Sequence, residues 1–143
     1  METALEAHKM SLAAAAAGSA GTAVNGATID MAGFDGVLIF GTITTANAGN
    51  FLKAQQGTLS DGSDMADLAG TKVVAAANGS IVCLDLKAPR EQYVRGVYVR
   101  AGTNTAVETM YYIRYNAHNK PTSSDVTNVL ASVKVQSPAE GTP

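Results

Sequence analysis

Cysteine occurs once in this 143-residue chain, tryptophan is missing, histidine occurs twice and charged residues make up only 15%. Each shortage removes a class of function. A single cysteine, Cys83, excludes an intrachain disulfide. His8 and His118 are the only imidazoles and neither stands in a recognisable pairing, so Cys83 has no evident base to make it a nucleophile. Its setting in the apolar run SIVCLDL predicts a buried, inert core thiol. Ten basic residues face twelve acidic ones, and a net charge of −2 argues against nucleic acid, whose binders need an excess of Lys and Arg to displace counterions. No segment approaches the roughly 18 consecutive apolar residues of a membrane span, so no membrane partner is expected. Without tryptophan and with aromatics at 6%, the chain is poorly supplied for the stacking platform of a carbohydrate-binding module.

Catalytic and cofactor motifs are equally scarce. GxSxG, HExxH, CxxC and GxGxxG do not occur, and no carboxylate pair is set apart by context as an acid and a base. We therefore expect neither an enzyme nor a cofactor. The one stretch dense in polar chemistry is QQGTLSDGSDMADLAGT, residues 55–71. Read as an EF-hand starting at Asp61, it places Met65, Ala66 and Lys72 where an oxygen ligand, a glycine and a glutamate belong. Read as a phosphate loop, Gly57 and Gly62 have the spacing, but Ser63 stands where lysine must. A surface calcium held by Asp61, Asp64 and Asp67 stays open as an alternative to a plain bend between strands. Asn78-Gly79-Ser80 matches the glycosylation sequon, yet Asn-Gly is also a hairpin turn.

What the chain does have is the punctuation of a β protein. Asn25-Gly26, Asp35-Gly36, Asp61-Gly62 and Asn78-Gly79 are turn dipeptides, tolerant of positive φ. Between them lie runs rich in β-branched and aromatic residues: 27–31, 36–44, 51–59, 71–77, 80–87, 92–101 and 107–117, with an eighth candidate at 130–137. Seven or eight short strands predict a sandwich or barrel. GVLIFGTI is apolar on both faces, as in a strand that is deeply buried or covered by a neighbour. In VETMYYIRYNA one side carries Val107, Thr109, Tyr111, Ile113 and Tyr115. The other carries Glu108, Met110, Tyr112 and Arg114 and is read here as a candidate contact surface.

Three segments are expected: an amino-terminal arm (1–23), a β-sandwich (24–121) and a carboxy-terminal segment (122–143). The arm imitates a secretory signal poorly, because Glu2 and Glu6 stand where basic residues belong. Its alanines predict helix from Thr3 to Ala17, marginal unless it lies against a partner. After the break at Lys120-Pro121, a short helix is expected from Thr122 to Leu130, followed by a disordered end.

Taken in order, VNGATIDMAGFDGVLIFGTI, LKAQQGTLSDGSDMADLAGTKV, SIVCLDLKAPREQYVRGVYVRAG and YYIRYNAHNKP resemble the head decoration, or cement, proteins of tailed bacteriophages. The resemblance lies in Gly33-Phe34 before an apolar run, the loop from Gln55 through Thr71, the strand with Tyr93-Val94-Arg95, and the close at Lys120-Pro121. It spans residues 24–121. It implies a jelly-roll-like antiparallel β-sandwich on the exterior of the virion shell, with the major capsid protein and further copies of itself as partners. A homodimer is preferred, with a homotrimer as the other option. Other readings are a tail or head–tail connector subunit, or a carbohydrate-binding sandwich. The candidate contact residues are Leu5, Met10, Leu12 and Val24 in and beside the arm, and Tyr98, Met110, Tyr112 and Arg114 on the strands.

Overall fold

Alternation with a period of two, broken by turn dipeptides, makes pleated strands with one face in and one face out. In the computed structural model, which describes residues 2–123, 127–129, 131–137 and 139–140, this pattern gives an all-β sandwich of two antiparallel sheets. The elements in chain order are α1 (Ala4–Ala7), β1 (Lys9–Ala14), β2 (Ala17–Ala20), β3 (Val24–Asn25), β4 (Ile29–Asp30), β5 (Phe34–Ile43) and β6 (Asn50–Gly57). They continue with β7 (Ala66–Asp67), β8 (Val73–Val74), β9 (Ser80–Lys87), β10 (Tyr93–Arg100), β11 (Thr105–Val107) and β12 (Met110–Ala117).

The front sheet runs β1-β12-β5-β9, with β11 and β2 continuing beside the far end of β5. In the back sheet β10 and β6 form the centre, flanked by β3 and β4 on one side and by β7 and β8 on the other. The chain alternates between sheets, and the long partners nest: β1 with β12, β3 and β4 with β10, β5 with β9, β6 with β7 and β8. That nesting is the double Greek key of a jelly roll.

The core lies between the sheets. Val37, Ile39 and Ile43 of β5, Val82 of β9, and Met110 and Tyr112 of β12 meet Leu52 and Ala54 of β6 and Val94 and Tyr98 of β10. Glycine is required at position 41, where the Tyr98 side chain of the back sheet reaches β5. A Cβ on Gly41 would collide with the Tyr98 hydroxyl and sit 2.9 Å from the Thr109 carbonyl oxygen. The Asn78-Gly79 dipeptide forms the turn into β9, with Gly79 at φ 70°.

Four expectations change. The helix expected over Thr3–Ala17 is confined to Ala4–Ala7. Most of the remaining segment forms β1 and β2, paired with β12 and β11, so residues 9–20 belong to the sandwich. Tertiary pairing outweighs the helix propensity of alanine here. Cys83 is exposed rather than buried, because β9 points Val82, Leu84 and Leu86 inward and Cys83 outward. The strand expected at 130–137 is not formed among its described residues 131–137. The helix expected from Thr122 to Leu130 is not seen in its described part, and positions 124–126 and 130 lie outside the described residues.

The two ends of the chain are tied together. The Thr122 amide donates to the Glu6 carbonyl (2.9 Å), and its hydroxyl donates to the carbonyls of Leu5 (3.2 Å) and His8 (2.7 Å). Lys120 pairs with Glu2 at 3.0 Å and Lys134 with Glu6 at 3.7 Å.

Candidate interaction face

The two outward faces of the sandwich differ in chemistry. On the back sheet, Arg95 Nε donates to Gln55 Oε1 (2.7 Å) and Gln55 Nε2 donates to Asp67 Oδ1 (2.6 Å). Lys53 Nζ completes the chain at Asp67 Oδ2 (2.6 Å), and Lys72 lies over the Phe51 ring. Cross-strand register explains the network, since Gln55 stands opposite both Arg95 and Asp67. Hydrogen bonding from Lys53, then Gln55, holds the Asp67 carboxyl below its ordinary range. These polar side chains satisfy one another, and beside them Val99, Phe51 and the 40% exposed Val74 form a short apolar row.

The front sheet presents the opposite. Register aligns Leu12, Tyr111, Phe40 and Cys83 in one row across β1, β12, β5 and β9, and Met10, Ile113, Leu38 and Asp85 in the next. Ile81 follows on β9, beside Thr42. Phe40 and Tyr111 stack with ring centroids 5.5 Å apart. Ile81 is 73% exposed and Tyr111 40% exposed, while Leu38, Phe40 and Ile113 are half-buried. A hollow of about 230 Å³ opens between Phe40, Ile81, Glu108 and Tyr111. A second, almost purely apolar one of about 240 Å³ lies where α1 overhangs the sheet, between Leu5, His8, Met10 and Ile113. At the rim the Tyr115 hydroxyl donates to Asp85 (2.7 Å). Burial, and then that carboxylate, push the Tyr115 phenol up to about 12. A contiguous apolar surface with a polar rim is the signature of a contact site for another macromolecule.

The candidate contact residues divide between this face and the interior. Met10 and Leu12 stand on it, and Leu5 lines its upper hollow. Val24 is half-buried on the edge strand β3, in the other sheet. Tyr98, Met110 and Tyr112 are wholly buried between the sheets, and Arg114 is only 8% exposed. The outward face of β12 is therefore the reverse of the one expected. The cause is polar satisfaction: the Tyr112 hydroxyl donates to the Ala27 carbonyl (2.9 Å) and accepts from the Gly96 amide (2.8 Å). Arg114 Nη1 donates to the Asp30 carbonyl (2.7 Å), with its guanidinium over the Phe34 ring. Loop and back-sheet backbone thus supply inward partners for side chains that read as surface groups. Leu38, Phe40, Ile81, Tyr111 and Ile113 are not among the expected contacts, although the two-faced apolarity of GVLIFGTI points towards Leu38 and Phe40.

The acidic loop is held together by its own aspartates. Asp64 accepts from the Thr58 hydroxyl and amide (both 2.7 Å) and from the Leu59 amide (3.2 Å), and these bonds, led by the Thr58 hydroxyl, lower its pKa. Asp61 accepts from the Ser63 amide (2.9 Å), and Asp67 belongs to the back-sheet network. The three carboxylates serve three separate sets of partners, with Gly62 at φ 71° making the bend. An open cleft of about 480 Å³ at one end of the sandwich is lined in part by Asp35, Lys87, Arg90 and Glu91. Asp35 is engaged there by His118 Nε2 at 2.9 Å, which lowers its pKa. Compared with protein-family models, with curated proteins and with solved structures, the chain matches none.

Proposed function

We propose that this protein is a structural component of a tailed-phage virion, a decoration protein that binds the outside of the major capsid shell and stabilises it. The observation that carries the reading is the apolar outward face of the front sheet, where Ile81 and Tyr111 stand exposed beside Phe40, Leu38 and Ile113. The ordered sequence resemblance across residues 24–121 supports the same reading. Such a protein works by mass action. It binds the assembled shell better than free capsid subunits, so every bound copy adds its binding free energy against disassembly. Equivalent sites on a symmetric shell let modest contacts sum. In this reading Met10, Leu12, Phe40 and Tyr111 supply the apolar contact, and no catalysis or cofactor is involved.

The test is the copy number of the chain in purified particles relative to the major capsid protein, by quantitative mass spectrometry. A ratio near one, or a simple fraction of it, supports decoration. A handful of copies per particle moves the protein to the tail or the head–tail connector, and absence from particles rejects a virion role.

A further inference from the structure

Backbone pairing in the back sheet ends on strands of two residues each, β3, β4, β7 and β8. Short edges of this kind leave little backbone free to pair with another chain. In the front sheet, β1 is a six-residue strand whose pairing with β12 is interrupted by an irregularity between Leu12 and Ala14, and Asn128, Val129 and Ala131 share a hollow with Met10, Leu12 and Tyr111 beside it. β9 is different. It is an eight-residue strand paired along one side to β5, and among the described residues no strand pairs with its other side. It carries no proline and no bulge against β5, and regular pairing runs from Ser80 to Lys87. Its inward Leu84 and Leu86 are only half-buried, and its outward Ile81 and Cys83 are exposed.

We propose that β9 joins antiparallel to β9 of a second copy across a two-fold axis, making the two front sheets one continuous sheet. The side-chain pattern selects both the partner and the register. Opposed residues in an antiparallel pair share a face, so a two-fold axis must pass through a residue pair. An axis at Asp85 would set two carboxylates directly opposite each other, which is unfavourable. One at Leu86 would push the pairing onto Ala88, at φ 50°, and onto Pro89, which has no N–H. An axis at Cys83 would face inward Leu86 with Ser80 and outward Ile81 with Asp85.

An axis at Leu84 avoids all of these. On the inner side Leu84 meets Leu84 and Val82 meets Leu86, closing the half-open edge of both cores. On the outer side the Lys87 stem covers Ile81, and Cys83 stands opposite Asp85. The apolar faces of the two front sheets then form one broader surface. The inference does not rest on the virion reading, because a dimer of the free protein and the copy number in particles are measured separately.

Sedimentation velocity of the full chain over a broad concentration series tests the proposal, with the fold of each variant checked by circular dichroism. The wild type is expected to dimerise. Cys83→Asp places like charges opposite each other twice per dimer and is expected to weaken association by about tenfold. Cys83→Lys, opposite Asp85, is expected to tighten it. The double variant Cys83→Asp/Asp85→Lys is expected to restore it, which a merely structural effect of Cys83→Asp would not allow. A wild type that stays monomeric throughout, or an oligomer indifferent to these charges, overturns the proposal.

Discussion

Tyr112→Phe removes one oxygen atom, and the structure makes it a costly deletion. The hydroxyl belongs to β12 of the front sheet, accepts from the Gly96 amide on β10 of the back sheet, and donates to the Ala27 carbonyl between β3 and β4. It therefore ties both layers and a loop together at a point where the side chain has no exposure. Burial also drives the phenol's pKa upward, as expected where water cannot reach the ionised form. Phenylalanine fills the same space, so no cavity opens. What is lost is a pair of hydrogen bonds, leaving the buried Gly96 amide unpaired and the part-buried Ala27 carbonyl without its donor. Each orphaned group costs about 1–3 kcal/mol, and partial relaxation puts the sum at about 3 kcal/mol. In urea unfolding the midpoint should fall with the slope unchanged. For a domain of this size the melting temperature should drop by roughly 10 °C. Tyr115→Phe is the internal control: it removes a rim hydroxyl bonded to exposed Asp85 and should cost about 0.5 kcal/mol or less. Equal losses in the two variants would refute the argument that dehydration of the partners, rather than the bond itself, sets the cost.

Three further outcomes follow from other parts of the molecule. Arg100 is 4% exposed, and its guanidinium donates to the carbonyls of Thr22 (2.6 Å), Gly18 (2.7 Å) and Thr105 (3.0 Å). Arg100→Met should cost about 3 kcal/mol and speed amide exchange across Ala17–Ala20, read by NMR. Asp64 has its pKa lowered in the folded state, so its contribution is fully present above the unfolded value near 4 and is lost as pH falls through the lower folded value. Exchange at the Thr58 and Leu59 amides should therefore gain protection loss on acidification, a pH dependence that Asp64→Asn should flatten. Ile81→Thr keeps a β-branched residue at an exposed strand position, so unfolding free energy should change by about 0.5 kcal/mol or less. On the decoration reading, reassociation with particles depleted of the protein should nonetheless fall, measured by co-sedimentation.

The strands that were legible in the sequence are the long ones whose alternation is bounded by turn dipeptides: β5, β6, β9, β10 and β12. β1 and β2 were not: KMSLAA is alanine-rich and reads as helix, and AGSA, beyond the helix expected to Ala17, reads as part of the arm. Only pairing with β12 and β11 makes them strands, and that partner lies about 100 residues away in the chain. β3, β7 and β11 escaped notice because two or three residues hold no period to detect. The contact face was half legible. The sequence divided β12 into its two faces correctly, with Tyr111 and Ile113 on one and Met110, Tyr112 and Arg114 on the other. Which face turned inward depended on acceptors at Ala27 and Asp30, positions that only the fold brings near.

Those inward choices bear on what the outward side chains are for. Tyr112, Met110, Ile39 and Val37 fill the space between the sheets, so Tyr111, Ile113, Leu38 and Phe40 on the same strands are left outside it. Apolar side chains that stay in contact with water contribute little to folding of the single chain, since the gain of about 25 cal/mol per Å² requires that water be removed. Their free energy becomes available only on association. The part of the back face satisfied by Arg95, Gln55, Asp67 and Lys53 has much less to gain by being covered. On the decoration reading, the front sheet, with Ile81 and Tyr111 as its most exposed apolar side chains, is the side the shell would cover, and trimming them should affect association more than folding.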